Sequence, residues 1–376
     1  MEQILHNRIL FILGNIFLGA GFLYFVFIYI RVGFYIFHKK KVNQQISSPH
    51  PISVLMIVHN EENRIEKILS ELLVQDYSKY EVVVADNFSE DRTCMILSSL
   101  SEKYSNLHFT SINQNIYFSD KQSVNLALKA AKYEWVVFVS TDVVHIPITF
   151  LKEINKEING SSSFYINYSN YLPKKGKYNR ICRMERFFSF INSVTYSAFN
   201  ISFFTQRNNV LFVKNKYFDT KPFRGKMNRY NADIELLYNC HGQGRQILLN
   251  EYSGATSIRE KESLSKDDFY ELFRKKIILR KEYGFFKKFF MRSGTISFLL
   301  MLLGFTVILF LRPDIWYYEL IPFVLLFILY IVKLEILGKR LNEIKIVLPS
   351  LVYIFVRPIV LIYYCFLSFF YYRHNR

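Results

Sequence analysis

Three hydrophobic runs near the start of the chain each stop on a polar tip that carries acid. Ile52–Val58 runs into His59-Asn60-Glu61-Glu62, Val82–Ala85 into Asp86-Asn87-Phe88-Ser89, and Trp135–Val139 into Ser140-Thr141-Asp142. The segments between them have helical spacing. Glu61–Gln75 places Ile65, Ile68, Leu69 and Leu72 on one face, Asp91–Lys103 and Gln122–Lys132 read as helices, and Leu107–Ile112 reads as a further strand. Such strand–helix alternation demands a mostly parallel sheet in an α/β fold. Ligands of open α/β sheets bind beyond the carboxyl ends of the strands. Carboxylates gathered there suit a hydroxyl-rich or metal-bound ligand, and a nucleotide-sugar better than a bare phosphate.

The rest of the composition belongs to a membrane. Hydrophobic residues make up 51% of the chain, and 27 Tyr and 37 Phe are present. Ile9–Ile30 is interrupted only by Asn15 and is long enough to cross a hydrocarbon core of ~30 Å as a helix. It exceeds a signal-peptide core and no small-residue cleavage site follows, so it reads as an anchor. Ile296–Leu311 and Ile315–Val332 form a second apolar pair around the turn Arg312-Pro313-Asp314. Ile346–Tyr372, broken by Arg357-Pro358, reads either as one kinked span or as an interfacial helix followed by a span.

The net charge of +17 is concentrated beside these stretches, at Lys39-Lys40-Lys41, Lys287-Lys288 and Lys339-Arg340. That is the positive-inside pattern together with attraction to anionic lipid, and it puts the soluble middle in the cytoplasm. The membrane accounts for the basic balance, and no nucleic-acid module accompanies it. Cys94, Cys182, Cys240 and Cys365 are scattered without metal-ligand spacing and read as reduced thiols.

Beyond Asp142 the pattern weakens. Phe150–Ile158 reads as a helix, Ser163–Asn167, Val210–Val213 and Gln246–Leu249 as strands, Asp233–Cys240 as a helix ending near Gly242, and Lys266–Lys281 as a basic helical segment. Residues 168–230 show little periodicity. The expected division is an anchor over 1–38, a linker over 39–50, a catalytic domain over 51–255, a basic membrane-proximal segment over 256–293, and transmembrane or interfacial helices over 294–376.

Five elements in order resemble those of the family-2 glycosyltransferases. Ile52 to Glu62 is similar to the opening strand of that family. Asp86-Asn87-Phe88-Ser89-Glu90-Asp91-Arg92-Thr93 resembles its Asp-Asp-Gly-Ser-x-Asp-x-Thr, and Ser119-Asp120-Lys121-Gln122-Ser123-Val124 its Gly-Lys-Lys-x-Ala-Leu. Ser140-Thr141-Asp142 sits where the family has Asp-Ala-Asp, and Ala232-Asp233-Ile234-Glu235-Leu236 where it has Glu-Asp-x-x-Leu. The resemblance covers about residues 51–250, roughly half the chain. It implies a cytoplasmic GT-A domain with a Rossmann-like sheet, held at a bacterial inner membrane by flanking transmembrane helices. It also implies a nucleotide-diphosphate sugar donor of the UDP class, Mg²⁺ or Mn²⁺, a lipid-linked or membrane-proximal glycan acceptor, and inversion at the sugar carbon.

Carried over residue by residue, the resemblance makes Asp233 the general base that deprotonates the acceptor hydroxyl and Asp142 the metal ligand at the diphosphate. Glu61 and Asp86 would accept hydrogen bonds from the nucleoside, His59 would pack on the base, and Lys121 would face the diphosphate. Asn209, within Arg207-Asn208-Asn209-Val210-Leu211-Phe212, borders the acceptor side. Each has a plainer reading as well: Asp142 as a turn cap, Asp233 as a carboxylate at a helix N-terminus, Glu61 and Asp86 as turn closures, Lys121 as a surface charge and His59 as packing. Ser140 and Ala232 replace carboxylates of the family pattern. They motivate a rival reading, a non-catalytic nucleotide- or glycan-binding scaffold. The Gln-x-x-Arg-Trp motif of processive members is absent near Phe273–Arg280.

Overall fold

The computed structural model describes residues 2–37, 49–112, 119–158, 163–196, 203, 205, 207–219, 248–249, 258–261, 263–343 and 346–374. Its first helix is α1 (Glu2–Phe37). Strands β1 (Ile52–Val58), β2 (Tyr80–Asp86), β3 (Leu107–Ser111) and β4 (Trp135–Phe138) follow, joined through α2 (Ile65–Leu73), α3 (Thr93–Lys103) and α4 (Ser119–Ala130). β1 pairs in parallel with both β2 and β4, and β2 with β3. After α5 (Phe150–Glu157) come β5 (Phe164–Ile166), β6 (Ser169–Tyr171), α6 (Lys177–Tyr196), β7 (Val210–Val213), α7 (Lys214–Phe218), β8 (Leu248–Leu249) and β9 (Ile258–Glu260). The main sheet has the order β3-β2-β1-β4-β7-β5-β8, with β7 antiparallel to β4 and β5, and β6 pairs with β9 in a small second sheet. The α/β fold with a mostly parallel sheet is as expected.

The central strands are apolar on both faces because both faces are covered. Ile52, Val54, Met56 and Val58 meet Ile65, Ile68, Leu69 and Leu72 of α2, Leu97 of α3 and Phe150, Leu151 and Ile154 of α5 in one buried cluster. The register sets Val58 beside Asp86 and Leu55 beside Phe138. The acid-bearing tips of β1, β2 and β4 therefore emerge at one edge of the sheet.

The first two helices of the domain, α2 and α3, begin later than expected, for a local reason. Glu61–Arg64 closes a turn in which Arg64 N and Ile65 N both donate to Glu61 O at 2.9 Å, so α2 starts only at Ile65. Asp91 accepts from Thr93 N at 2.9 Å and from Glu62 N at 3.1 Å, so it anchors two tips and α3 starts at Thr93.

α6, a helix of 20 residues, fills part of the stretch without visible period. Every residue from Cys182 to Ile191 is buried, Arg183, Glu185 and Arg186 included, so no polar stripe remains to reveal a helix. The buried charges are matched. Glu185 accepts from Arg357 at 2.7 Å and from Tyr353 at 2.8 Å, and pairs with Lys276. Glu343 accepts from Arg183 at 2.6 Å, Tyr168 at 2.7 Å and Asn170 at 2.8 Å, and pairs with Arg259. Burial opposes the Glu185 charge, but Arg357 and Lys276 beside it hold its carboxyl well below the usual range.

Four more helices complete the described chain: α8 (Lys266–Glu282), α9 (Phe285–Leu311), α10 (Trp316–Arg340) and α11 (Val347–His374). Among the described residues, His6–Ile30, Phe285–Leu311 and Tyr317–Arg340 are long and apolar enough to cross a membrane. α9 starts well before Ile296, its first turns carrying Lys287, Lys288 and Arg292. α11 is continuous through Arg357-Pro358, and its Arg357 spends its charge on Glu185.

The chain forms two compact units. One comprises Met1–Lys39, Tyr283–Lys339 and Lys345–Leu351, and the other Lys40–Glu282, Arg340–Ile344 and Val352–Arg376. Within the first, α1 and α9 touch backbone to backbone. A Cβ on Gly304 would lie 2.5 Å from Gly14 O and 2.7 Å from Leu18 N. Small residues at such a contact are how apolar helices associate where lipid removes the hydrophobic drive. Within the second, Val360 and Tyr364 of α11 pack with Cys182 of α6 and Phe269, Leu272 and Phe273 of α8.

Candidate functional site

The site is assembled at the strand tips of the second unit. Beyond β1, Glu61 accepts from Thr141 Oγ1 at 2.9 Å and pairs with Arg64 at 2.9 Å. Arg64 reaches on to Asp142 Oδ1 at 2.8 Å, so one guanidinium ties the tip of β1 to the tip of β4. The segment after β4 is flanked by β9: Val144 N donates to Arg259 O and Lys261 N to Asp142 O, both at 2.9 Å. This places Lys261 Nζ 3.6 Å from Asp142 Oδ2 and 2.6 Å from Asp268 Oδ1. Lys261 has φ +41°, a backbone region that residues with a Cβ seldom occupy. Burial works against its charge, but Asp268 and Asp142 hold its ammonium above the ordinary lysine value. Burial likewise opposes the Asp268 carboxylate, and Lys261 and Ser265 bring it below its ordinary range.

Asp142 opens onto a cavity of about 160 Å³. Ser140, Arg207, Asn208, Lys261, Asp268 and Lys275 contribute to its wall, with Tyr171, Arg186 and Glu260 deeper. Asn208 holds the wall in register: its Oδ1 accepts from Ser140 N at 3.0 Å and its Nδ2 donates to Glu260 at 2.5 Å. Arg186 pairs with Glu260 at 2.8 Å and lies 3.5 Å above the Tyr171 ring, a buried brace behind the cavity. Arg207 pairs with Asp120 at 3.0 Å and Lys275 with Glu271 at 2.7 Å. Charges of both signs thus face one open volume, suited to a ligand that is anionic at one end and hydroxyl-rich at the other.

The residues singled out from sequence are placed as follows. Glu61 and Asp142 join the same tip cluster through Arg64 and Thr141. Asp86 is 1% exposed and accepts from Ser89 N at 3.1 Å and Cys94 Sγ at 3.2 Å, closing its own turn. His59 is exposed, with Nδ1 2.9 Å from Asn87 O. Lys121 is buried on α4. Asn209 is fully buried with φ +59°, and its side chain is engaged with Asn167 at 3.2 Å and Tyr168 O at 3.3 Å. Its neighbours Arg207 and Asn208 reach the cavity instead. Asp233, with Ala232 and Glu235, lies outside the described residues.

Arg64, Lys261 and Asp268 belong to none of the expected motifs: Arg64 lies in the turn after β1, Lys261 follows β9, a strand of three residues, and Asp268 is in the first turn of α8.

A divalent ion at Asp142 does not fit these surroundings. Ser140 stands where a second carboxylate would be, and its Oγ accepts the Asp142 amide at 3.2 Å. Both oxygens of Asp142 already face a cation, Arg64 or Lys261. No group of three or more His, Cys, Asp or Glu side chains converges among the described residues.

Residues 53–218 match the family model described as Glycosyl transferase family 2. Among curated relatives, the poly-beta-1,6-N-acetyl-D-glucosamine synthase of Staphylococcus aureus strain MSSA476 is 25% identical over 105 residues, 28% of this chain and 25% of that protein. The match therefore spans about a quarter of the relative's length. Among solved structures, S. aureus TarS aligns at 20% identity and TM-score 0.45, covering 65% of this chain and 43% of that one. The mannosyltransferase PcManGT of Pyrobaculum calidifontis aligns at 15% identity and TM-score 0.49, covering 92% and 98%. Residues 53–218 thus carry the pattern of the family-2 glycosyltransferases, with the strand-tip motifs set on a mixed, mostly parallel sheet.

Proposed function

We propose that the chain is a family-2 glycosyltransferase that moves a sugar from a nucleotide-diphosphate sugar, of the UDP class, to a hydroxyl of a lipid-linked or membrane-proximal glycan. The observation that carries this reading is the cavity at the carboxyl edge of the sheet, where Asp142, Lys261, Arg207 and Lys275 face one volume. The anionic end of the donor is received there, beside the tips that carry Glu61 and His59. Glu61 and Asp86 bind or shape the nucleoside pocket, Lys121 supports the diphosphate side, and Asn209 positions the acceptor-side wall. Asp233 takes the proton from the acceptor hydroxyl as its oxygen bonds to the sugar carbon. The bond from that carbon to the diphosphate breaks on the opposite face, and the nucleoside diphosphate leaves with the electron pair.

Three apolar helices tether the site to a bacterial inner membrane, with the GT-A domain on the cytoplasmic side. Tethering raises the effective concentration of a bilayer-bound acceptor. The proposed organisation is an anchor over 1–38, a catalytic domain over 51–255 and C-terminal membrane-associated helices.

The replacements at Ser140 and Ala232 favour one rival, a scaffold that binds nucleotide or glycan without turnover. Purified wild-type and Asp233→Asn protein, given a panel of nucleotide-sugars and a bacterial lipid extract, separates the two. Transfer by wild type, with binding but no transfer by the variant, is the expected result. Wild-type rates in the variant would overturn the base, and binding without transfer in both would favour the scaffold.

A further inference from the structure

We infer that Arg64 and Lys261 stand in for the divalent ion, so that the donor diphosphate binds to these two side chains without metal. The inference rests on the donor-site reading above. Three observations carry it. First, both oxygens of the Asp142 carboxylate face cations of the protein, Arg64 at 2.8 Å and Lys261 at 3.6 Å. A divalent ion placed there would meet a guanidinium and an ammonium at contact distance, where like charges repel strongly. Second, Ser140 Oγ, the other candidate ligand at this tip, is turned toward the Asp142 amide at 3.2 Å, and the remaining acid of the family pattern is missing. Third, Lys261 is a fixed group. Its amide is bonded to Asp142 O at 2.9 Å, and its backbone sits at φ +41°. Backbone outliers of this kind cluster at ligand clamps, where the surrounding structure over-determines them.

The two cations suit the task in different ways. A guanidinium presents a planar fork that matches phosphate oxygens in pairs, and an ammonium acts as a point charge. Arg64 comes from the turn after β1 and Lys261 from the end of β9, so they approach Asp142 from separate elements. Asp142 then orients both cations and hands them to the diphosphate, and Glu61 and Asp268 hold them while the site is empty. Together they carry the same formal charge as one divalent ion.

The test is calorimetric titration of the full-length, detergent-purified protein with UDP, GDP, CDP and TDP, each in EDTA and in Mn²⁺. One nucleotide should bind with the same affinity in both. Lys261→Met and Arg64→Met should each weaken that binding in EDTA by about tenfold or more, as expected for a charge-assisted hydrogen bond. Lys261→Met should also gain a Mn²⁺ dependence, because Asp142 is then freed. Lys261→Arg, which keeps the charge, controls for folding and should stay close to wild type. Wild-type binding that is lost in EDTA and restored by Mn²⁺ would overturn the inference and leave the donor site standing. So would unchanged binding in both methionine variants. No binding of any nucleotide in either condition would remove the donor reading and the inference together.

Discussion

At the scale of single residues, the tip after β2 shows how a family pattern becomes a physical constraint. Phe88 has φ +59° and stands where the resembling families have Gly. The left-handed region costs a residue with a Cβ about 1–2 kcal/mol. Here the turn is held by Asn87 N donating to Val58 O at 2.8 Å and by Ser89 N donating to Asp86 at 3.1 Å. Phe88→Gly should therefore raise stability by about 1 kcal/mol while leaving nucleotide affinity unchanged, and thermal unfolding with and without UDP reads both. A loss of stability would mean that the Phe88 ring contributes more than its backbone costs. The same tip shows what a motif cannot convey. The Asp86 carboxylate closes its own turn through Ser89 N, and Asp91 holds both the start of α3 and the tip of β1, through Thr93 N and Glu62 N. Arg64, which belongs to no motif, bridges Glu61 and Asp142.

At the scale of elements, the core strands and the α2–α5 helices were readable because their burial is one-sided or wholly apolar. α6 was not, because its charges are buried and paired. The apolar helices α1 and α9 were visible by composition, but their mutual contact rests on three glycines that carry no pattern of their own. Gly14, Gly21 and Gly304 each sit where an added Cβ would press on the facing helix. Gly304→Val should separate α1 from α9, because the nearest atoms, Gly14 O and Leu18 N, are backbone and cannot swing away. The expected outcome is a lower unfolding temperature in mild detergent, with nucleotide affinity kept. Ala at position 19 of α1, where nothing lies within 4 Å, is the matched control and should be neutral.

At the scale of the whole molecule, two buried glutamates tie distant parts of the chain together. Glu185 joins α6 to α8 and α11, and Glu343 joins α6 to β6 and β9. Breaking such a pair on one side strands the other charges and typically costs about 3–5 kcal/mol. Glu185→Gln should destabilise by that order, since Lys276 and Arg357 would keep their charge without a counter-charge. The sign of the pH dependence follows from its lowered carboxyl. A depressed acid contributes its full stability above the ordinary carboxylate range and loses it only as pH falls through the folded value. Denaturant unfolding of wild type and Glu185→Gln should therefore differ by the same amount from pH 7 to about 5 and converge only below about 4. Convergence already at neutral pH would show that Glu185 is not held as a carboxylate.

Periodicity and the acid-bearing strand ends were enough to lay out the parallel sheet and the edge where the candidate site lies, and the length of the apolar runs marked the membrane-length helices. Those features are local, since hydrophobic burial imprints a spacing on the residues of each segment. The partners of Asp142 were settled only by tertiary contact. Arg64 and Lys261 come from opposite ends of the domain, and their meeting depends on β9 lying beside the turn after β4. Charge pairing leaves no period along a chain, because its partners are chosen by proximity in space and not by separation in sequence.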